Sequence, residues 1–232
     1  MKTLEQVQKE LKEMEKLFGF DPNKIEQGSD EWLHMKLGVI SASNVSKVLA
    51  KKGSATRNGY MAELIAQIAT REMPEINAKA LDWGKENELA ARSIYEFEMA
   101  TNFKQVPIIF KDKSMRCAAS PDGYGERPLE LKCPFSSRVF IEFVCSEKIK
   151  KEYIDQCQYS MWVTNADFWD FANYDPRMTK KQFHCVTIER DEKKMKEFDE
   201  KIPEFISEMD EMLSKLGIEF GYQWHTQKDK AA

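Results

Sequence analysis

No run of this 232-residue sequence is apolar for the roughly 20 residues that a membrane-spanning helix requires. Residues 1–16 are charged and helix-patterned and lack the apolar centre of a signal peptide, so the expected location is the cytoplasm. Cysteine is scattered: Cys117, Cys133, Cys145, Cys157 and Cys185 stand singly, their number is odd, and no Cys-x-x-Cys pair occurs. That argues against a disulfide framework, a zinc site and an iron–sulfur cluster, and predicts reduced, mostly packed thiols. His34, His184 and His225 show no metal-ligand spacing and read as structural. A net charge of −4 gives no global basic field, which counts against a passive DNA-coating protein and requires any nucleic-acid contact to be local. Internal repeats and low-complexity segments are lacking too.

What is present is an ordinary globular composition, 42% hydrophobic, enough at this length to bury a sizeable core in a single domain. Leu4, Val7, Leu11, Met14 and Phe18 recur at helical spacing and predict an amphipathic opening helix that ends near Gly19 and packs within the chain or on a partner. Ser29 is placed to cap a short helix through Trp32 and His34, and Ser43 to cap another from Asn44 to about Lys51. Residues 51–58 read as a basic, flexible loop, followed by helices around 59–72 and 78–100. Strand-like runs at 103–110, 115–119 and 128–133 form a predicted meander, turning at Asp112-Lys113 and Asp122-Gly123. A helix near 150–163, strands at 168–174 and 183–189, and a long closing helix complete the order. In that last helix Phe198, Ile202, Phe205, Met209, Leu213 and Leu216 make one apolar stripe. The order predicts an α/β fold, a mixed β-sheet flanked by helices.

The chemistry concentrates in Ser120-Pro121-Asp122-Gly123 and Glu130-Leu131-Lys132. In an extended strand Glu130 and Lys132 share one face while Leu129, Leu131 and Cys133 point to the other, into a core. Asp122, Glu130 and the carbonyl of Leu131 suit a hard cation such as Mg²⁺. The charge of Lys132 then lowers the cost of forming hydroxide next to a phosphodiester. Spacing alone does not separate this from a solvated strand, since Glu10-Leu11-Lys12 and Glu192-Lys193-Lys194 repeat the triplet on helix faces.

Longer stretches decide more. Val39-Ile40-Ser41-Ala42-Ser43, Asn77-Ala78-Lys79-Ala80-Leu81 with Trp83-Gly84-Lys85, Leu129-Glu130-Leu131-Lys132-Cys133-Pro134-Phe135, Gln158-Tyr159-Ser160-Met161-Trp162-Val163 and Phe171-Ala172-Asn173-Tyr174-Asp175-Pro176-Arg177-Met178 are all in place. With them the chain resembles the PD-(D/E)xK nuclease superfamily, and within it the lambda-exonuclease and YqaJ-type viral recombinase family. The resemblance implies a restriction-endonuclease-like fold over about residues 26–224, with an N-terminal helical extension over 1–25 and a polar tail over 225–232.

It also implies a 5′-to-3′ exonuclease on double-stranded DNA, processive, releasing mononucleotides and leaving 3′ single strands for recombination. Mg²⁺, with Mn²⁺ as a possible substitute and two ions per site, is the implied cofactor. The implied assembly is a homotrimeric ring threaded on a DNA end, in a bacterial host cell, phage or prophage encoded, with a single-strand annealing protein as partner. Asp122, Glu130 and the Leu131 carbonyl match the metal ligands and Lys132 the residue that activates water. Glu88 matches the acidic residue completing the site, and Gln156 the glutamine that positions Lys132 and the water.

Ser41 and Ser43, near a helix start, are expected at the terminal 5′-phosphate, with Ser120 a further contact and Arg138 a basic position near the DNA path. Lys36 stands where the family carries an arginine, and lysine keeps the charge without the bidentate fork. Two other readings fit the same residues: an endonuclease of the same superfamily, and a DNA-end-binding recombination module without catalysis.

Overall fold

A reciprocal cap starts the first helix: the Thr3 hydroxyl accepts from the Gln6 N–H while the Gln6 side chain accepts from the Thr3 N–H. In the computed structural model, which describes residues 1–74 and 79–225, this helix is α1 (Leu4–Glu13), continued after a break at Met14 by α2 (Glu15–Phe18). Gly19 ends it in the left-handed conformation. Val7, Leu11 and Phe18 are buried in the main core, so the opening helix packs within the chain. The tail beyond His225 and the expected helix start at Ala78 lie outside the described residues.

The order continues with α3 (Asp30–Met35), β1 (Ile40–Ser41), α4 (Val45–Val48), α5 (Ala55–Thr70), α6 (Lys79–Glu98), β2 (Ile109–Phe110), β3 (Cys117–Ala119) and β4 (Leu129–Lys132). It closes with α7 (Ser137–Ser146), α8 (Lys151–Thr164), β5 (Phe168–Tyr174), β6 (Phe183–Glu189) and α9 (Glu192–Lys215). Ser29 caps α3 through the Trp32 N–H, as expected. Ser43 caps nothing. It sits inside a 3₁₀ turn, and Asn44 precedes α4 without a side-chain cap. The basic loop is shorter than predicted, because Ser54 caps α5 through the Arg57 N–H and draws residues 55–58 into the helix.

The expected meander divides between two mixed sheets. β1 runs parallel to β3, which pairs antiparallel with β2. β4 instead runs parallel to β5, which pairs antiparallel with β6. Residues 103–108, read as strand, contribute only a Lys104–Tyr124 bridge, and Pro107 has no N–H to offer a ladder. α8 packs on both β3 and β5 and joins the sheets; it is buried without interruption from Asp155 to Thr164. α9 buries Phe198, Ile202, Phe205, Met209 and Leu213, while Leu216 caps its end and stays exposed. A smaller core of Ala91, Tyr95, Leu129, Leu131, Ala172 and Tyr174 seats α6 on β4 and β5.

Candidate active site

Beyond β3 the chain turns at Pro121-Asp122-Gly123 and meets the start of β4. The Asp122 N–H donates to the Leu129 carbonyl at 3.1 Å and the Leu129 N–H to the Gly123 carbonyl at 3.0 Å. A side chain at Gly123 would press to 2.8 Å from the Phe103 ring, so glycine is required there. The turn brings the Asp122 carboxylate along the free edge of β4, where it accepts from the Leu131 N–H at 2.6 Å. A strand residue's N–H and C=O leave by the same edge, so the Leu131 carbonyl faces this edge too.

Glu130 and Lys132 share a face and touch: the Lys132 ammonium donates to the Glu130 carboxylate. The same carboxylate oxygen accepts from the Gln156 amide of α8 at 2.6 Å. Gln156 was expected to position Lys132; it does so only through Glu130, the carboxylate they have in common. From α6 comes Glu88, half-buried, its carboxylate accepting from Arg92 one turn on. Glu88, Asp122, Leu131 and Lys132 line one cavity of about 420 Å³, together with Tyr153, Asn173 and Phe135.

The cavity has an excess of negative charge. Burial pushes the Glu130 carboxyl up to about 7, against the attraction of Lys132 and with the help of Asp122. Burial likewise raises Asp122, opposed by Lys132 and the Leu131 N–H. Glu88 is raised by burial and then by the charge of Asp122. Lys132 is raised as well, which for a cation favours the charged form: burial disfavours its charge, but Glu130 and Asp122 outweigh that and keep it an ammonium. Among the described residues no three acidic, His or Cys side chains are preassembled as an ion cage. Glu88 is turned to Arg92 and Glu130 to Lys132. The donor set is nevertheless all oxygen, buried and undercompensated, which fits a hard divalent cation once those two contacts loosen.

The expected phosphate contacts lie apart from this cavity's lining. Lys36 is half-buried, with its head 3.7 Å over the Trp32 ring; burial pushes it down to about 8, opposed by the charge of Glu130. The parallel register sets Ser41 beside Ala118, so Ser43 and Ser120 leave β1 and β3 at the same end. The Ser41 and Ser43 hydroxyls are 3.3 Å apart, and Asn44 donates to Ser41 at 3.2 Å. Arg138, in the first turn of α7, is largely exposed and 3.7 Å from Glu142.

Three neighbours were not foreseen. Arg92 was legible as the i+4 partner of Glu88. Tyr153, whose ring centroid is 5.5 Å from the Lys132 ammonium, lies three residues before Gln156 on the same helix. Asn173 sits opposite Lys132 in the β4–β5 register and its buried side-chain oxygen has no partner; nothing short of strand pairing reveals it.

A model of the YqaJ-like viral recombinase domain matches residues 31–167. The chain belongs to this family. The matched span holds every acidic residue of the cavity, with Lys132 and Gln156. Among solved structures, this YqaJ-like chain is 35% identical to the alkaline exonuclease LHK-Exo from Laribacter hongkongensis, with a TM-score of 0.74 over 82% of this chain and 96% of that one. The same enzyme in complex with dAMP gives 35% identity and a TM-score of 0.75, over 81% and 96%. A phage-related exonuclease from Haemophilus somnus 129PT shares the fold, at 13% identity and a TM-score of 0.61 over 77% and 96%. The protein ExoD of Escherichia coli strain K12 is 59% identical over 78 residues, 34% of this chain and 90% of ExoD.

Proposed function

We propose that this YqaJ-like protein is a Mg²⁺-dependent exonuclease that degrades the 5′-ended strand of double-stranded DNA and releases mononucleotides. The observation that carries the proposal is the convergence of Glu88, Asp122 and Lys132 on one cavity, with Gln156 holding Glu130 against Lys132. The solved structures of the alkaline exonuclease LHK-Exo, one of them in complex with dAMP, support the same reading. Strand polarity, processivity, a trimeric ring, a second ion and transfer of the product strand to an annealing protein belong to this reading as its finer parts.

Asp122, Glu130 and the Leu131 carbonyl would hold Mg²⁺ or Mn²⁺, with Glu88 completing the oxygen set. Bound there, the ion supplies Lewis-acid charge to the phosphoryl group. The chain's own contribution follows from its protonation states. Lys132, favoured as an ammonium by Glu130 and Asp122, is placed to orient the attacking water and offset developing negative charge. Gln156 donates to Glu130 and fixes the carboxylate against which Lys132 is aimed. Tyr153 backs the ammonium with its ring.

Digestion of linear duplex carrying 5′-phosphate or 5′-hydroxyl ends, with and without Mg²⁺, tests polarity, end preference and metal need together. Supercoiled circular DNA should survive while its linearised form is degraded. Cleavage of the closed circle would favour the endonuclease reading, and binding of ends without digestion the non-catalytic one.

A further inference from the structure

Phe135 has no task in the chemistry above, and its placement calls for one. It follows Lys132 by three residues and lines the same cavity as Glu88 and Asp122, yet it is 57% exposed. A ring of that size is ordinarily folded inward where the backbone allows. Here the ring stays out, on a backbone held at two successive carbonyls. The Arg177 guanidinium donates to the Phe135 carbonyl at 2.9 Å and to the Pro134 carbonyl at 3.1 Å. Asp175 grips the same guanidinium through both oxygens, at 2.8 and 2.9 Å. Trp83 completes the brace: its ring meets Phe135 edge-on, centroids 6.2 Å apart at 88°, and Arg177 lies 4.4 Å from its centre.

We propose that Phe135 is a stacking platform for a nucleobase, namely the unpaired base of the nucleotide whose phosphodiester is presented to Asp122 and Lys132. The inference deepens the exonuclease reading and rests on it. A terminal nucleotide that enters a cavity of this size leaves the duplex stack and loses its neighbour's π-face. An exposed, braced ring at the cavity wall replaces that face without reading sequence, because every base can stack. Arg138, three residues further and 80% exposed at its side chain, adds a cation in the first turn of α7, just after this loop. A ring beside a basic residue is the pairing from which single-strand sites are built. The brace preorganises the ring, so little ordering remains to be done on binding.

The test places 2-aminopurine as an unpaired 5′-terminal nucleotide on a duplex and adds protein in chelator, so that binding is read without cleavage. Wild type and Phe135→Trp should quench the fluorescence on binding. Phe135→Leu keeps apolar bulk without a ring, and it should leave the base bright and bind about ten-fold more weakly, as should Phe135→Ala. An abasic terminal nucleotide should remove the difference between wild type and Phe135→Leu. Quenching by Phe135→Ala equal to wild type, or a Phe135→Leu loss that persists on the abasic end, overturns the platform. If wild type digests linear duplex but leaves the base bright, the platform alone fails; if it does not digest linear duplex, the exonuclease reading fails with it.

Discussion

Two sets of carboxylates are taken out of water in this fold, and they are treated in opposite ways. Asp170 of β5, fully buried, accepts from the Arg127 side chain twice at 2.8 Å, from Tyr95 at 2.7 Å and from Thr187 at 2.7 Å. Asp155, next to Gln156, is met by Lys151 and Lys194 at 2.7 and 2.8 Å. For Asp175 burial opposes ionisation, but Arg177 and Ser137 together outweigh it and hold the carboxyl below its ordinary value. For Asp122, Glu130 and Glu88 burial outweighs the contacts with Lys132 and Arg92, and all three are raised. Carboxylates that serve the fold are compensated where they stand. Those at or behind the cavity wall are left short of positive charge, which a bound cation would supply.

The sharpest break in the comparison is chemical. Lys132→Ala should lower hydrolysis of linear duplex by about 10³-fold, while affinity for duplex ends in a gel-shift titration changes little. Hydrolysis at the wild-type rate would remove Lys132 from the site.

Stability should separate the two sets by sign. Asp170→Asn leaves Arg127 and Tyr95 poorly matched and should destabilise the protein by about 3 kcal/mol in urea unfolding. Glu130→Gln should do the reverse in cation-free buffer at pH 8, raising Tm by about 2–4 °C. If both substitutions destabilised equally, the contrast would disappear.

The pH dependence follows from the same residue. Native Glu130 keeps its proton up to about 7, against an ordinary value of 4.5. The folded state therefore binds more protons than the unfolded chain between those values, and cation-free stability falls as pH rises from 4.5 towards 7. Cation binding has the opposite slope, because the carboxylate must be ionised. Mg²⁺ affinity measured by calorimetry should weaken up to about ten-fold per pH unit below 7, with release of a proton, and Glu130→Gln should flatten that slope and lower the affinity. The smallest effect is expected at the exposed start of α7, where Arg138→Ala should weaken duplex binding about two-fold at low salt and not at high salt.

Much of this could be read in advance. Period-two alternation placed Leu129 and Leu131 in a core opposite Glu130 and Lys132, and the β5 and β6 spans fell where their residues said they would. Local rules erred where two signals competed. Ser43 looked like a cap, yet its hydroxyl is 3.3 Å from that of Ser41; residues 103–108 looked like strand but lack a ladder partner. α7 was not anticipated at all, because its buried face consists of only Phe140 and Phe143.

The sequence by itself determined the family, the core-facing alternation of β4 and the candidate set of acidic residues with Lys132, because each rests on local spacing or on matched motifs. The fold decided the rest. That β4 pairs with β5 and not with β3, that Gln156 reaches Glu130 across 26 positions, and that Arg177 steadies the loop of Phe135 across 42 are consequences of long-range packing. The shortage of positive charge in the cavity is a property of the same kind, since burial and charge balance depend on which distant residues share a space, and short-range spacing carries no record of that.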